Sequence, residues 1–169
     1  MSHPCRLLVV LAVVLAALLA RAPVPLAAPG ESGLPIPRFV SLGSDEANMR
    51  TGPGVRYPVA WVYHKAGLPM MVTAEYGHWR KVRDVDGTEG WMHKALLSGR
   101  RTAEVVDGVH ALRAEAREDA AVLLRAGTGV IGRLLACAGA WCRLAIADHE
   151  GWLPRTALFG ALPGEDFEN

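Results

Sequence analysis

The strongest constraint on the fold is that the chain repeats itself. Three pairs of segments match, at offsets of 61, 62 and 63 residues: EGWMHKALLSG (89–99) with EGWLPRTALFG (150–160), HWRKV (78–82) with AWCRL (140–144), and NMR (48–50) with ALR (111–113). An offset that drifts by single residues indicates one unit present twice, with small insertions and deletions in its loops. We therefore predict two units, residues 36–99 and 100–161, followed by a tail at 162–169.

Each unit has the pattern of short β-strands separated by turns. In the first unit, apolar and β-branched runs bounded by turn residues fall at 38–42, 59–64, 69–76, 79–85 and 88–93. Each unit ends in a sequence typical of one helical turn, KALL in the first and RTALF in the second. Units of about 60 residues with about five short strands and a closing 3₁₀ turn predict an all-β chain of two small, partly open β-barrels.

The N-terminus has the features of a secretory signal. Arg6 precedes fourteen apolar residues, Leu7 to Ala20, which are too few to span a membrane and are followed by small residues. We predict a signal-peptide helix in residues 1–28, cut between 22 and 28, that meets the membrane only during export. An uncleaved N-terminal anchor is the alternative. The Ala/Arg-rich composition favours a Gram-negative periplasm, and the extracellular space is the other possible destination.

The charge of the mature chain argues against nucleic acid. Removal of residues 1–28 takes away two arginines and no acid, so 18 basic and 17 acidic side chains become 16 and 17, a net charge of −1. No basic excess is left to neutralise phosphates, and nucleic acid is not an expected partner. The two predicted units would fill the remaining residues, so we do not expect a separate catalytic domain.

Two turns fix the register of the strands beside them. Gly77-His78 and Gly139-Ala140 stand 62 residues apart, and glycine in the first position suits a type II′ turn between antiparallel strands. Asp86-Gly87 predicts a further two-residue hairpin in the first unit.

The register of the second turn predicts a disulfide. Removal of Cys5 with the signal leaves Cys137 and Cys142, an even number in an exported chain. Across a two-residue turn they face each other at a Cα separation of about 4.5 Å, near the lower limit for a disulfide. The first unit has Glu75 and Arg80 at these positions, which predicts a cross-strand ion pair.

A resemblance to a known family covers nearly all of the first unit. The run NMRTGPGVRYPV…AGLPMMVTAEYGHWRKVRDVDGTEGWMHKALL resembles the bacterial SH3-like (SH3b) domain, with its N-[hydrophobic]-R-x-G-P start and its W-x-K-V and G-x-x-G-W segments. The second unit departs at its start, where ALRAEARED lacks both glycines and the proline, and fits again at WCRL…EGWLPRTAL. The resemblance implies two tandem SH3-like barrels that bind cell-wall peptide or an envelope protein.

The glycine-rich loop at 47–58, ANMRTGPGVRYP, is not expected to bind phosphate. A phosphate loop leads into a helix N-terminus, whereas VRYPVAW after Gly54 is an extended sequence. The loop corresponds instead to the long hairpin between the first two strands. Arg50 and Arg113 occupy equal positions in the two units. Either they brace the loop against carbonyls or a carboxylate, or Arg50 helps to line a ligand groove.

The aromatic residues provide the candidate binding site. Trp79, Trp91, Trp141 and Trp152 are shared by the units, so we assign them first to the barrel core, with the shared Gly90 and Gly151 as structural positions. Aromatic rings confined to the first unit are better groove candidates, because a small barrel cannot bury many large rings. With Arg50, the predicted ligand-binding residues are therefore Tyr57, Trp61, Tyr63 and Tyr76.

The sequence contains no motif that predicts catalysis. His-Glu-x-x-His, Gly-x-Ser-x-Gly and Cys-x-x-Cys are all missing, and the histidines are scattered. Zinc held by Cys137, Cys142 and His149 would lack a fourth ligand and a familiar spacing, so no metal and no cofactor are predicted. We expect a non-catalytic binding module. A structural adaptor in an envelope complex is the alternative, and an accessory part of a cell-wall hydrolase system comes third.

Overall fold

The computed structural model describes residues 28–168, which consist almost entirely of β-strands and turns. The predicted signal segment, apart from its last residue, lies outside the described residues. Within the described part, no helix is long and apolar enough to cross a membrane. The strands form two large antiparallel sheets and a two-stranded N-terminal ribbon. The prediction of an all-β chain with two tandem barrels is confirmed.

The first barrel is a seven-stranded sheet. The strands of this half of the chain are β1 Ala28–Pro29, β2 Pro35–Ile36, β3 Arg38–Leu42, β4 Ala47–Arg50, β5 Val59–Tyr63, β6 Pro69–Tyr76, β7 Trp79–Arg83, β8 Glu89–His93 and β9 Leu97–Ser98. The ribbon pairs β1 with β2, and the sheet order is β5-β4-β8-β7-β6-β3-β9. The predicted closing turn is the 3₁₀ turn Lys94–Leu96.

The second barrel repeats this arrangement. Its strands are β10 Thr102–Val105, β11 His110–Arg113, β12 Val122–Ala126, β13 Ile131–Ala138, β14 Trp141–Ile146, β15 His149–Pro154, β16 Leu158–Phe159 and β17 Phe167–Glu168. The sheet order is β12-β11-β15-β14-β13-β10-β16, and β17 adds to β13. The 3₁₀ turn Arg155–Ala157 closes the unit.

Each barrel has its own apolar core, built from alternate residues of its strands. The first contains Leu42, Ala47, Met49, Tyr63, Met70, Val72, Val82 and Met92. The second contains Ala103, Val105, Leu112, Ala126, Leu134, Cys137, Cys142, Leu144, Ile146, Leu153 and Leu158. Two separate cores are what a duplicated small unit requires, because each copy must bury its own apolar face.

Strand Ala47–Arg50 and its counterpart His110–Arg113 were not predicted. Together with the short closing strands β9 and β16, they raise the number of strands in each sheet above the five expected for each unit. Ala47 and Met49 are buried and alternate with partly exposed residues. Two apolar residues in a four-residue strand give too little periodicity to be recognised from the sequence.

The predicted register around the two matching turns is confirmed. Gly77 and Gly139 both have φ of 53°, and Tyr76 pairs with Trp79 as Ala138 pairs with Trp141. Cys137 and Cys142 form a disulfide with a Cα separation of 4.1 Å.

The predicted ion pair is also present at the matching position of the first barrel. Arg80 Nε lies 3.0 Å from Glu75 Oε1.

The Asp86-Gly87 turn differs from its prediction. Arg83 pairs with Glu89, so five residues connect β7 and β8 instead of two. Gly87 N donates to Asp84 O at 3.2 Å, and the Asp84 carboxylate accepts from Thr88 N at 2.8 Å. The Asp84 side chain therefore closes a longer turn, and Gly87 takes the positive φ of 85° that this turn needs.

The two barrels contact each other through β3 and the connecting segment. The rings of Phe39 and Phe159 meet edge to face with centroids 4.9 Å apart. Thr102 Oγ1 donates to Gly67 O at 2.8 Å, and Ser41 Oγ donates to Arg100 O at 2.8 Å. Phe39 and Ser41 are buried on the side of β3 opposite Val40 and Leu42, so β3 contributes to both the first core and the contact between barrels.

The tail at 162–169 is ordered against the second barrel as far as it is described. Glu165 accepts hydrogen bonds from the Arg101 guanidinium at 2.6 and 3.0 Å, and Phe167 pairs with Cys137. Asp166 Oδ1 accepts from Gly139 N at 3.0 Å. In the first barrel, the N-terminal segment does the same, since Glu31 Oε2 accepts from Gly77 N at 2.7 Å. A carboxylate from a terminal segment thus caps the matching turn in both barrels.

Candidate binding face of the first domain

Cross-strand pairing brings a set of aromatic and basic side chains to one face of the first sheet. Partners directly opposite each other in antiparallel strands share a face. Trp79 pairs with both Tyr76 and His93. In the next row, Trp91 pairs with Lys81 and with Arg50. We call the surface formed by Arg50, Tyr76, Trp79, Lys81, Trp91 and His93 the outer face.

The tryptophans do not fill the barrel cores, which corrects the sequence-based expectation. Along β7 and β8 the buried residues are Arg80, Val82, Gly90 and Met92, so the alternate residues Trp79 and Trp91 point to the other side. Trp141 and Trp152 follow the same alternation in the second barrel, and all four are only partly buried. The period of a strand fixes which residues share a face, but it does not say which face is inside.

The structural assignment of Gly90 and Gly151 has a steric explanation. A Cβ on Gly90 would lie 2.5 Å from Met49 Cγ and 2.9 Å from Arg50 O. A Cβ on Gly151 would lie 2.6 Å from Arg113 O and 2.8 Å from Leu112 Cγ. In both barrels the glycine lets a neighbouring strand approach closely, and this approach places the arginine beside the tryptophan.

A groove of about 190 Å³ opens on the outer face. Its lining residues all belong to the first barrel: Asn48, Arg50, Val55, Trp79, His93, Ala95 and Leu96. The His93 ring meets the edge of Trp79 at 5.5 Å between centroids and lies 5.9 Å from His78. His93 Nδ1 accepts a hydrogen bond from Ala95 N at 3.3 Å, which leaves Nε2 to carry the proton of the neutral ring. His93 was not singled out from the sequence, because nothing local distinguishes it from the other histidines.

Arg50 braces the long loop and also borders the groove, while its role toward a ligand stays a prediction. Its Nη1 donates to Tyr57 O at 2.8 Å and to Val55 O at 3.2 Å, so it braces the long loop. It also lines the groove. Arg113 braces the corresponding loop of the second barrel by donating to Ala120 O at 2.9 Å.

Tyr57 is fixed inside the loop that Arg50 braces. Its ring covers Gly52 so closely that a Cβ there would lie 2.5 Å from the ring. The Arg56 guanidinium lies over the Tyr57 ring, 5.2 Å from the ring centroid. Tyr57 is therefore half-buried as part of the loop, although it remains close to the groove through Arg50.

Trp61 and Tyr63 lie on the opposite side of the sheet from the outer face. Trp61 pairs with the buried Met49, and Tyr63 pairs with the buried Ala47. Trp61 remains 57% exposed at the sheet edge. Tyr63 is buried, and its hydroxyl donates to Asp84 at 2.7 Å. The pKa of Tyr63 is raised, mainly because the hydroxyl is buried and in second place because it donates this hydrogen bond to Asp84. Of the predicted ligand residues, only Arg50 and Tyr76 share the outer face.

Comparison with known proteins agrees with this architecture. The family model "Bacterial SH3 domain" matches the chain twice, at residues 43–99 and 106–160. The chain belongs to the bacterial SH3 domain family. The resemblance noted in the sequence is thereby confirmed for two tandem copies, and domains of this family are binding modules.

Other similarities are distant. No curated protein matches the chain. Two solved structures from Trichomonas vaginalis are similar. The structure of NlpC1 is 12% identical in sequence, with a TM-score of 0.35, and the alignment covers 83% of this chain and 51% of the NlpC1 chain. The structure of NlpC2 is 11% identical in sequence, with a TM-score of 0.35, and the alignment covers 74% of this chain and 48% of the NlpC2 chain. The chain thus spans about half the length of both structures.

The second SH3 domain presents a poorer version of the outer face. Trp141 and Trp152 match Trp79 and Trp91, but Trp141 pairs with Ala138 and Pro154 where the first domain has Tyr76 and His93. The side of the second domain near Trp152 is also bordered by the tail residues Phe167 and Glu168. The combination of tyrosine, histidine and tryptophan is therefore specific to the first SH3 domain.

A buried ion cluster supports the end of β6 beside this face. Glu75 has a side chain only 1% exposed, and it accepts from Arg38 Nη2 at 2.6 Å and from Ser32 N and Oγ at 2.7 and 2.8 Å. Burial alone would raise the pKa of Glu75, but hydrogen bonds from Ser32 and Arg38 outweigh it and lower the pKa from 4.5 to about 2. The carboxylate stays ionised and holds the N-terminal segment against the first SH3 domain.

Metal binding finds no support in the described residues. No group of three or more His, Cys, Asp or Glu residues in residues 28–168 is arranged to hold a metal ion. Cys137 and Cys142 are joined in a disulfide and cannot serve as thiolate ligands for zinc with His149.

Proposed function

We propose that the protein is an exported, non-catalytic binding protein whose first SH3 domain recognises cell-wall peptide on the outer face. The observation that carries the proposal is the groove beside Trp79 and His93, which lies open and belongs to one domain. Export, with the periplasm as the favoured destination, is inferred from the N-terminal sequence.

The chemistry of the outer face suits a short extended peptide. Tyr76 is 61% exposed and pairs directly with Trp79 across the hairpin, so both rings contribute apolar surface to this face. Aromatic side chains of this kind anchor peptides at low entropic cost. Lys81 lies in the neighbouring row, where its ammonium group can attract a peptide carboxylate, although it also pairs with Glu89 at 2.6 Å.

The open face supports this proposal over a scaffold whose aromatic face is packed against the second domain; an adaptor whose face is covered by another protein is left to the test below. An adaptor whose aromatic face is covered within its own chain would have Trp79 and Tyr76 packed against the second domain. The contacts between the domains instead involve Phe39, Ser41 and Gly67, which line no part of the groove.

The test is sedimentation of the mature chain with intact peptidoglycan sacculi. Tyr76→Ala removes an exposed ring from the outer face, and we expect it to weaken retention about tenfold. Trp61→Ala is the matched control, because it removes an exposed ring of the same domain from the opposite side of the sheet.

Three results would count against the proposal. Failure of the parent chain to sediment above background would show that wall recognition is wrong and would favour an adaptor. Equal retention of the parent and Tyr76→Ala would remove the outer face from the site. Loss of retention with Trp61→Ala alone would move the site to the other side of the sheet.

A further inference from the structure

The segment that connects the two SH3 domains forms one wall of a cleft of about 520 Å³. Gly99, Arg100 and Arg101 come from this segment, and Arg133, Leu134 and Leu135 come from β13 of the second domain. The charged side chains in this lining are all arginines. The cleft shares no lining residue with the groove on the outer face.

The three arginines differ in how far their charge is already neutralised. Arg101 is bound to Glu165 in the tail at 2.6 Å. Arg133 has Glu150 only at 3.9 Å, and both side chains are more than half exposed, so solvent screens this pair. Arg100 is exposed, and within the described residues its side chain has no ion pair. The cleft therefore presents about two positive charges without a firm partner.

Arg101 adds a donor that lacks an acceptor. Its Nη1 and Nη2 are occupied by Glu165 and by Gly160 O, but its Nε is buried and has no hydrogen-bond partner within the described residues. Buried donors are nearly always paired with protein, water or a ligand. This Nε is shielded from solvent and the guanidinium also lies over the Phe167 ring, 4.9 Å from its centroid, so Arg100 and Arg133 are the cations of the cleft that remain open to a ligand.

The positive character continues toward the first domain. An adjoining cavity of about 190 Å³ shares Gly99 with the cleft and is lined by Lys94, Arg38 and Arg80. Arg38 and Arg80 are committed to the buried Glu75. Lys94 is exposed at the start of the 3₁₀ turn. With Arg100 and Arg133, Lys94 gives this continuous surface a third cation. A ligand with more than one anionic group could contact all three.

We propose that the cleft binds a phosphate-bearing ligand. The guanidinium group offers planar pairs of N–H donors that match phosphate oxygens, and two arginines with weak or no partners match the two negative charges of a phosphate monoester. A lining with arginines and no carboxylate favours anions over cations. Such a site lies apart from the outer face, so the protein would hold an anionic envelope component with one surface while its first domain binds another ligand.

The experiment is a titration of the mature chain with inorganic phosphate, monitored by ¹H–¹⁵N NMR. Chloride keeps the ionic strength constant throughout the titration. Saturable shifts are expected at the amides of 99–101 and 133–135 and at the Arg Nε–H groups. Arg100→Ala/Arg133→Ala should weaken binding by at least about tenfold. Both residues are exposed, so the double variant should fold, and circular dichroism checks this.

The matched control is Lys65→Ala/Arg125→Ala, which removes two exposed positive charges that do not line the cleft. Shifts that weaken equally in both double variants, or that follow ionic strength alone, would overturn the proposal. Acetate binding as tightly as phosphate would overturn the phosphate assignment in favour of a carboxylate.

Two further titrations identify the source of the phosphate. Glucose 6-phosphate represents a soluble sugar phosphate, and vesicles of phosphatidylglycerol and phosphatidylcholine in equal parts represent a lipid headgroup. Binding that depends on Arg100 and Arg133 in either titration supports the site and names the source. Absence of such binding in both, together with no response to inorganic phosphate, refutes the proposal.

Discussion

Replacement of Glu75 by glutamine should destabilise the first SH3 domain strongly and in a pH-dependent way. The substitution keeps the size of the side chain but removes the negative charge that faces Arg38 and Arg80. Because the Glu75 side chain is only 1% exposed, the two guanidinium groups would be left without their buried partner. Removing one member of a buried ion pair typically costs about 3–5 kcal/mol.

The pKa of Glu75 gives an independent magnitude. It falls from 4.5 to about 2 in the folded protein, and a pKa difference of one corresponds to about 1.4 kcal/mol. The ionised carboxylate therefore contributes about 3 kcal/mol to the free energy of unfolding at neutral pH. Since the folded pKa is the lower one, this stabilisation is complete above the unfolded pKa near 4.5 and is lost as the pH falls toward 2. About 2 kcal/mol of it should be gone at pH 3.

The assay is urea denaturation followed by tryptophan fluorescence, for the parent and for Glu75→Gln, at pH 7 and pH 3. The difference between the two proteins should be about 3 kcal/mol at pH 7 and should shrink to about 1 kcal/mol at pH 3. Glu89→Gln is the control, because Glu89 pairs with Lys81 in the same sheet with both side chains 38% exposed. If Glu75→Gln destabilises no more than Glu89→Gln at pH 7, or if its effect is the same at both pH values, the buried charge cluster does not stabilise this domain.

Two further changes test the packing of each barrel. Reduction of the Cys137–Cys142 disulfide should lower the free energy of unfolding by at most about 2 kcal/mol, because the closed ring has six residues and the hairpin already restrains its ends. Urea denaturation with and without reductant measures the difference. A larger loss would contradict the argument from ring size. Gly90→Ala should cost about 1–3 kcal/mol, because the new Cβ would meet Met49 Cγ at 2.5 Å. Gly99→Ala has no atom within 4 Å of its Cβ and serves as the control; equal thermal stability of the two variants would refute the steric argument.

The features that the sequence predicted correctly are local ones. A two-residue turn at Gly139-Ala140 determines that Cys137 faces Cys142, and the repeat carries the same register to Glu75 and Arg80. These pairs follow from the count of residues across one hairpin, and no distant part of the chain can change that count. The two tandem barrels were predictable for a similar reason, since the matching segments recur throughout both units.

The site depended on contacts that no local pattern contains. Trp61 and Tyr63 share one side of β5, yet Trp61 is exposed at the sheet edge while Tyr63 is buried against Asp84, which lies in a distant turn. Trp79 and Trp91 alternate with core residues, but which of the two alternating sets is inside depends on how the sheet closes.

The sequence by itself determined most of the strands and the pairs across the Gly77-His78 and Gly139-Ala140 turns, because these are set by neighbours along the chain. The tertiary structure alone decided that the tryptophans form an outer face, that the tail binds Arg101, and that a cleft of arginines lies beside the segment between the domains. The physical reason is that burial and charge neighbourhood depend on segments far apart in sequence, such as Glu165 and Arg101, that meet only when both barrels have closed.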